Sequence, residues 1–132
     1  MHQLRRKKLC AEMHELGIAQ NILEIVLQAV PREQSSEVRF VRIKVGKLSG
    51  VLPDSLEFCF KAITTETALQ AAQLVIEHVP VVLECKECTH HSSTDDFVFI
   101  CSACGSGNVQ LISGRELEVT EIEIEDEPVA AL

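Results

Sequence analysis

From Leu16 the apolar positions fall at Leu16, Ala19, Ile22, Leu23, Val26, Leu27 and Val30. Steps of three and four mark one helical stripe facing a core, and Pro31 ends it. Residues 32–36 are polar and read as a loop. Val41, Ile43 and Val45 then alternate with Arg42 and Lys44, the mark of a strand with one wet face. Gly46 to Gly50 breaks that strand. Leu52-Pro53-Asp54 reads as a helix start, with proline near the first turn. Leu56, Cys59, Phe60 and Ile63 follow at helical spacing, which predicts Cys59 as a buried core thiol. Thr64 to Ala72 is a weakly patterned connection. Leu74 to Leu83 reads as a second strand, in which Pro80 implies an edge or a bend. Val109 and Leu111, then Leu117, Val119, Ile122 and Ile124, are extended. The apolar phase flips between Val119 and Ile122, which predicts a β-bulge, since one extra residue reverses the facing of a strand.

The order is therefore helix, strand, helix, strand, inserted segment, strand. It predicts an α+β, two-layer fold: two helices packed on a small mixed three-stranded sheet, with an inserted zinc-ribbon-like subdomain. Residues 13–84 plus 109–125 would form the α/β domain and 85–108 the insert. Residues 1–12 read as a flexible N-terminal extension, and 126–132 as an acidic and apolar tail.

Composition narrows the function. The chain has 132 residues, 46% of them hydrophobic, with five Phe and no Trp or Tyr, so its core is aliphatic. Arg5, Arg6, Lys7 and Lys8 stand against Glu12 in the first twelve residues, so the net charge of −8 leaves −11 on the rest. That excess repels phosphate backbones and argues against a nucleic-acid partner; it suits a cation or a basic protein surface. No apolar run reaches the roughly 20 residues of a membrane span, and no secretory leader is recognisable. Reduced thiols and a cytoplasmic location are expected. There is no Ser/His/Asp set and no Gly-rich phosphate loop. His78 reads as a packed or edge strand residue rather than a base, and no enzyme activity is expected.

Two Cys-x-x-Cys pairs, Cys85/Cys88 and Cys101/Cys104, have the spacing that encloses one tetrahedral ion, with Zn²⁺ the usual occupant. Tetrahedral sulfur also suits iron, and disulfides are a further alternative. Four protein ligands leave no open position, so the ion would be structural. The insert is too poor in apolar residues to fold alone, so metal would supply most of its folding energy, about 10–16 kcal/mol in zinc-finger peptides. His90 and His91 follow the first pair, either as exposed imidazoles or as a ligand that exchanges with a thiolate as pH changes.

Met13-His14-Glu15 heads the first helix. Were Met13 the first residue, its amine, the next amide nitrogens and the His14 imidazole could surround one ion in a plane. Such a set favours Ni(II) or Cu(II) over Zn²⁺.

These features together resemble the HypA/HybF nickel metallochaperones of NiFe-hydrogenase maturation. The likeness runs over residues 13–125. It lies in Met13-His14-Glu15-Leu16, Val45-Gly46-Lys47-Leu48-Ser49-Gly50, Ile76-Glu77-His78-Val79-Pro80, both cysteine pairs, Gly114-Arg115-Glu116-Leu117-Glu118-Val119 and Ile122-Glu123-Ile124-Glu125. The resemblance implies a transported Ni(II) at Met13, His14 and Glu15. It also implies a structural Zn(II) at Cys85, Cys88, Cys101 and Cys104, with His90 and Asp54 as auxiliary metal residues. Gly105 stands where some members carry a second histidine, which speaks against a two-histidine exchange. Implied partners are a HypB-type GTPase and a hydrogenase large-subunit precursor, with urease a further recipient; a weak homodimer is compatible with the resemblance. The amine ligand requires a chain starting at Met13; Met1-His2 offers the same pair on the extension, but Gln3 does not match the family where Glu15 does. The rival reading is a zinc-ribbon protein-interaction module that transports no metal.

Overall fold

The computed structural model describes residues 2–8, 15–94 and 97–125. Helix α1 spans Glu15–Ala29 and buries Ile18, Ala19, Ile22 and Val26. The buried face differs from the predicted stripe: Leu16 and Leu27 are exposed, and Ile18 is buried in their place. The helix is apolar around most of its circumference, so two stripes overlap, and the one rich in β-branched residues faces the sheet. A 3-10 turn at Arg32–Glu37 occupies the predicted polar loop.

Strand β2 (Val38–Gly46), helix α2 (Pro53–Thr64) and strand β3 (Gln73–Val79) form a parallel βαβ unit. Strand β7 (Leu117–Ile124) runs antiparallel on the other side of β2. Ile18, Ile22 and Val26 of α1 and Leu56 and Phe60 of α2 share one buried cluster with Val41, Ile43, Val45, Val119 and Ile122 of the sheet. Cys59 is half-buried at the margin of that cluster rather than inside it.

The sheet has a fourth strand beyond the three predicted. Residues His2–Lys8 form β1, antiparallel to β7, giving the order β1-β7-β2-β3. The segment predicted as a flexible arm is thus a strand over most of its length. The outer edge of β7 would otherwise present a row of unpaired backbone groups, which an extended neighbouring segment satisfies. The C-terminal tail, 126–132, lies outside the described residues.

The predicted bulge is present. Arg42 pairs with Glu121 and Ile43 with Val119, leaving Thr120 as the extra residue. Its hydroxyl donates to the Arg42 carbonyl at 3.3 Å, and Val119 and Ile122 both end up buried.

The run Leu74–Leu83 is two strands in two sheets, parted at Pro80. Strands β4 (Val81–Cys85), β5 (His91–Thr94) and β6 (Val109–Ser113) make a second, antiparallel sheet in the order β5-β4-β6. The smaller sheet therefore takes in residues 81–113, more than the 85–108 assigned to the insert. Leaving and returning segments touch where the two sheets join: the Ser113 hydroxyl donates to the Pro80 carbonyl at 2.8 Å. The Leu48 N–H reaches the Gly114 carbonyl at 2.6 Å and the Lys47 N–H the Val79 carbonyl at 3.0 Å. A Cβ on Gly46 would lie 2.1 Å from the Gly114 oxygen, so only glycine fits. Among the described residues no helix is long and apolar enough to cross a membrane.

Candidate metal centre

Strand β4 delivers Cys85 into the smaller sheet's buried side, and the chain turns at once through Cys88. The second turn, Cys101-Ser102-Ala103-Cys104, closes over it. The four sulfurs all lie within 4.8 Å of one another. Cys85 and Cys104 are 3.6 Å apart, as are Cys88 and Cys101, and all four thiols are free. Four sulfurs about 2.3 Å from a tetrahedral zinc would stand about 3.8 Å from one another, so the cluster fits such an ion with little adjustment.

The two turns repeat one backbone pattern. In the first, the Thr89 N–H donates to the Cys85 carbonyl and the Cys85 N–H to the His90 carbonyl, both at 2.9 Å. In the second, Gly105 donates to Cys101 and Cys101 to Ser106, again at 2.9 Å. The fifth residue of each turn is left-handed: Thr89 has φ 64° and Gly105 φ 76°. The leading sulfur of each turn is buried and accepts two backbone N–H groups, from Glu87 and Cys88 onto Cys85, and from Ala103 and Cys104 onto Cys101. At Cys101 such donors favour thiolate.

Without a cation the cluster cannot hold four negative charges. Cys101 is pulled down to about 6, first by the Cys104 N–H and against the effect of burial. The His90 N–H acts to lower Cys88, but Cys101 beside it, desolvation and the other thiols push it up to about 12. Cys104 is also raised, the Ser106 N–H being outweighed by Cys85, desolvation and Cys101 together. A divalent ion removes that conflict, because it favours ionisation at every ligand.

Ser92, buried on β5, accepts the Ser102 N–H at 3.0 Å and shares a 3.1 Å hydrogen bond with the Ser102 hydroxyl. The Asn108 side chain donates to Glu87 at 3.1 Å, and the Lys86 N–H to the Asn108 carbonyl at 2.9 Å. These supports escape a sequence reading, which sees polar residues in a polar loop; the one hint is a serine on the apolar phase of a strand. His90 is exposed and stands outside the sulfur cluster, joined to it through its backbone. His91 meets Glu84 at 3.4 Å.

Of the other predicted metal residues, Glu15 and Asp54 lie at helix starts. Met13 and His14 fall outside the described residues. Glu15 opens α1, and its carboxylate accepts the Leu52 N–H at 3.0 Å. Asp54, exposed in the first turn of α2, is two residues from that amide. Residues 37 positions apart are so brought to one end of the helical layer, which no local pattern predicts.

Residues 13–124 match the family described as "HypA: Hydrogenase/urease nickel incorporation, metallochaperone, hypA". The hydrogenase maturation factor HypA of Desulfosudis oleivorans is 46% identical over 115 residues, covering 86% of this chain and all of that protein. The factor of the same name from Desulfatibacillum aliphaticivorans is 45% identical over 115 residues, covering 86% of this chain and 88% of that one. The solution structure of the Ni metallochaperone HypA from Helicobacter pylori shares the fold at a TM-score of 0.57 and 24% identity, covering 87% of this chain and 100% of that one. A second solution structure, of HypA protein, aligns at a TM-score of 0.63 and 24% identity, covering 87% and 98%.

Proposed function

The chain belongs to the HypA family of nickel-incorporation metallochaperones, and on that premise we propose that it binds Ni(II) and delivers it during NiFe-hydrogenase maturation, with urease a second recipient. The observation that carries this reading is the family match over residues 13–124, which starts on Met13. In a chain that begins at Met13 the proposed nickel ligands are the Met13 amine, the His14 imidazole and adjoining amide, and the Glu15 carboxylate, with Asp54 as an auxiliary acid. The Glu15 contact with the start of α2 supports this choice, since it gathers two carboxylates at one helix end.

The division of labour follows from ligand chemistry. Nitrogen donors in a plane select Ni(II), whereas a closed set of four thiolates selects zinc and leaves no site for exchange. Cys85, Cys88, Cys101 and Cys104 would hold a structural Zn(II), with His90 an auxiliary ligand at most. A carrier must also let go, and a chelate at a helix end, where local opening is easy, is suited to that. The protein then catalyses nothing itself. It works in the cytoplasm with a HypB-type GTPase and a hydrogenase large-subunit precursor, as a monomer or a weak homodimer.

The test is a nickel titration of protein beginning at Met13. Wild type should bind one Ni(II) per chain, and His14→Ala should weaken that binding at least tenfold while zinc content is unchanged. Equal affinity in the variant would remove the site. Absence of saturable binding in the wild type would favour an interaction module that transports no metal.

A further inference from the structure

We propose that Phe97-Val98-Phe99-Ile100 is a docking face for a partner protein whose apolar groove is rimmed by Lys and Arg, and that metal in the four-cysteine cluster holds it in position. The four side chains are 69%, 53%, 42% and 47% exposed. Singly exposed apolar residues are ordinary, but a contiguous exposed set marks an interaction site. The chain has five Phe and no Trp or Tyr, yet two of those Phe stand in this tetrapeptide, and aromatics dominate interface energetics.

The face is anchored at its C-terminal end. The next residue, Cys101, is buried, with its sulfur 3.6 Å from that of Cys88 and its N–H bonded to the Ser106 carbonyl at 2.9 Å. Ser102 is tied to β5 through Ser92. Drawing the sulfurs together around an ion therefore fixes the direction in which the tetrapeptide leaves the cluster. Loss of the ion would release it, so a partner reading this face reads metal occupancy too.

Charge selects the occupant. Lys86 stands against Glu87, Asp95 and Asp96 within residues 85–108, and the whole chain carries −8. Four thiolates on one zinc ion add two further negative charges locally. An anionic lipid surface repels such a face, and so does a second copy of the chain. A groove with a basic rim attracts it, and that attraction weakens as salt screens it.

The carrier reading enters only through the choice of probes, the purified GTPase and large-subunit precursor of the same organism. Their affinities for zinc-loaded wild type and for Phe97→Ser/Phe99→Ser would be measured by calorimetry, with zinc content and nickel titration recorded alongside. The double variant should keep zinc and nickel binding and lose about tenfold or more in affinity for one probe. Chelating the zinc should produce the same loss, and wild-type affinity should fall as salt rises. If the double variant fails to hold zinc, Val98→Lys replaces it, opposing the basic rim with an equal expected loss. Equal binding by wild type and variant, or no binding of either probe by wild type, overturns the proposal. So does self-association, seen by sedimentation, or binding to phosphatidylglycerol vesicles that the double variant abolishes. A wild type that binds a probe but no nickel would sink the carrier reading and leave this face standing.

Discussion

At Gly46 a hydrogen stands where any other residue would place a carbon 2.1 Å from the Gly114 oxygen. The obstacle is backbone on a fixed hydrogen-bonded crossing, which has no rotamer to turn away. Gly46→Ala should therefore cost about 3 kcal/mol or more, at the severe end of overpacking, visible as a lowered denaturant midpoint. Thr89 works in the opposite sense. It holds the left-handed position that Gly105 fills in the sister turn, at a cost of about 1 kcal/mol for a side chain. Thr89→Gly should raise the melting temperature of the zinc-loaded protein, whereas a fall would show that the Thr89 hydroxyl contact to Cys88 outweighs the strain. At this scale the cysteines were legible from their spacing, because two residues between thiols is itself the geometry of a chelating turn. The left-handed Thr89, the Ser92 tie and the Glu15 contact with Leu52 were not, because each depends on a neighbour that only the folded backbone supplies.

Among the elements, β2, β7 and α2 follow from periodicity, and the bulge from a change of phase. Val119 and Ile122 are both buried, and an odd spacing on one face needs an extra residue, which is Thr120. Deleting Thr120 should remove the bulge and leave Ile122 and Ile124 on the core face, because a regular alternation then runs from Val119 through Glu121 to Ile122. The cooperative unfolding transition is expected to survive; its loss would mean that the local bend of the bulge is itself required. Other elements were misread, α1 and β1 for physical reasons. Helix α1 carries apolar residues on more than one face, so periodicity pointed to the Leu16 stripe while the overlapping Ile18 stripe is the buried one. Residues 2–8 lack strand periodicity, and β1 is set by its pairing with the edge of β7, a long-range partner that no local pattern shows. Pro80 was read as an edge or a bend and is both: β3 is the edge of its sheet, and the chain changes sheets at the proline.

For the molecule as a whole, the larger sheet rests on its aliphatic core, and the smaller is expected to depend on metal at its four cysteines. Zinc removal should abolish amide protection in residues 81–113 and spare the core strands β2 and β7, as read by hydrogen exchange. The protons displaced on reloading follow from the thiols. Cys88 and Cys104 are raised in the metal-free cluster, so both are protonated near neutrality and binding must release at least those two. Apparent zinc affinity should thus rise about a hundredfold per pH unit around pH 7, by linkage to two protons. Below about 6, where Cys101 also takes up a proton, the dependence should steepen. Calorimetry in buffers of different ionisation heat counts the protons, and a count below two would mean that the thiols share charge differently. Cysteine spacing disclosed this half of the site in advance. The proposed nickel site was legible only as a short motif and a family likeness, since Glu15 reaches the start of α2 only through the packing of the two helices.

The contact between Ser113 and Pro80 means that the chain departs for the smaller sheet and comes home through a single doorway. A loop whose stems already touch can be lengthened, shortened or exchanged without stretching the body that carries it. The four-cysteine cassette is in that sense a plug-in: a lineage could refit it while the helices and the larger sheet stayed as they are.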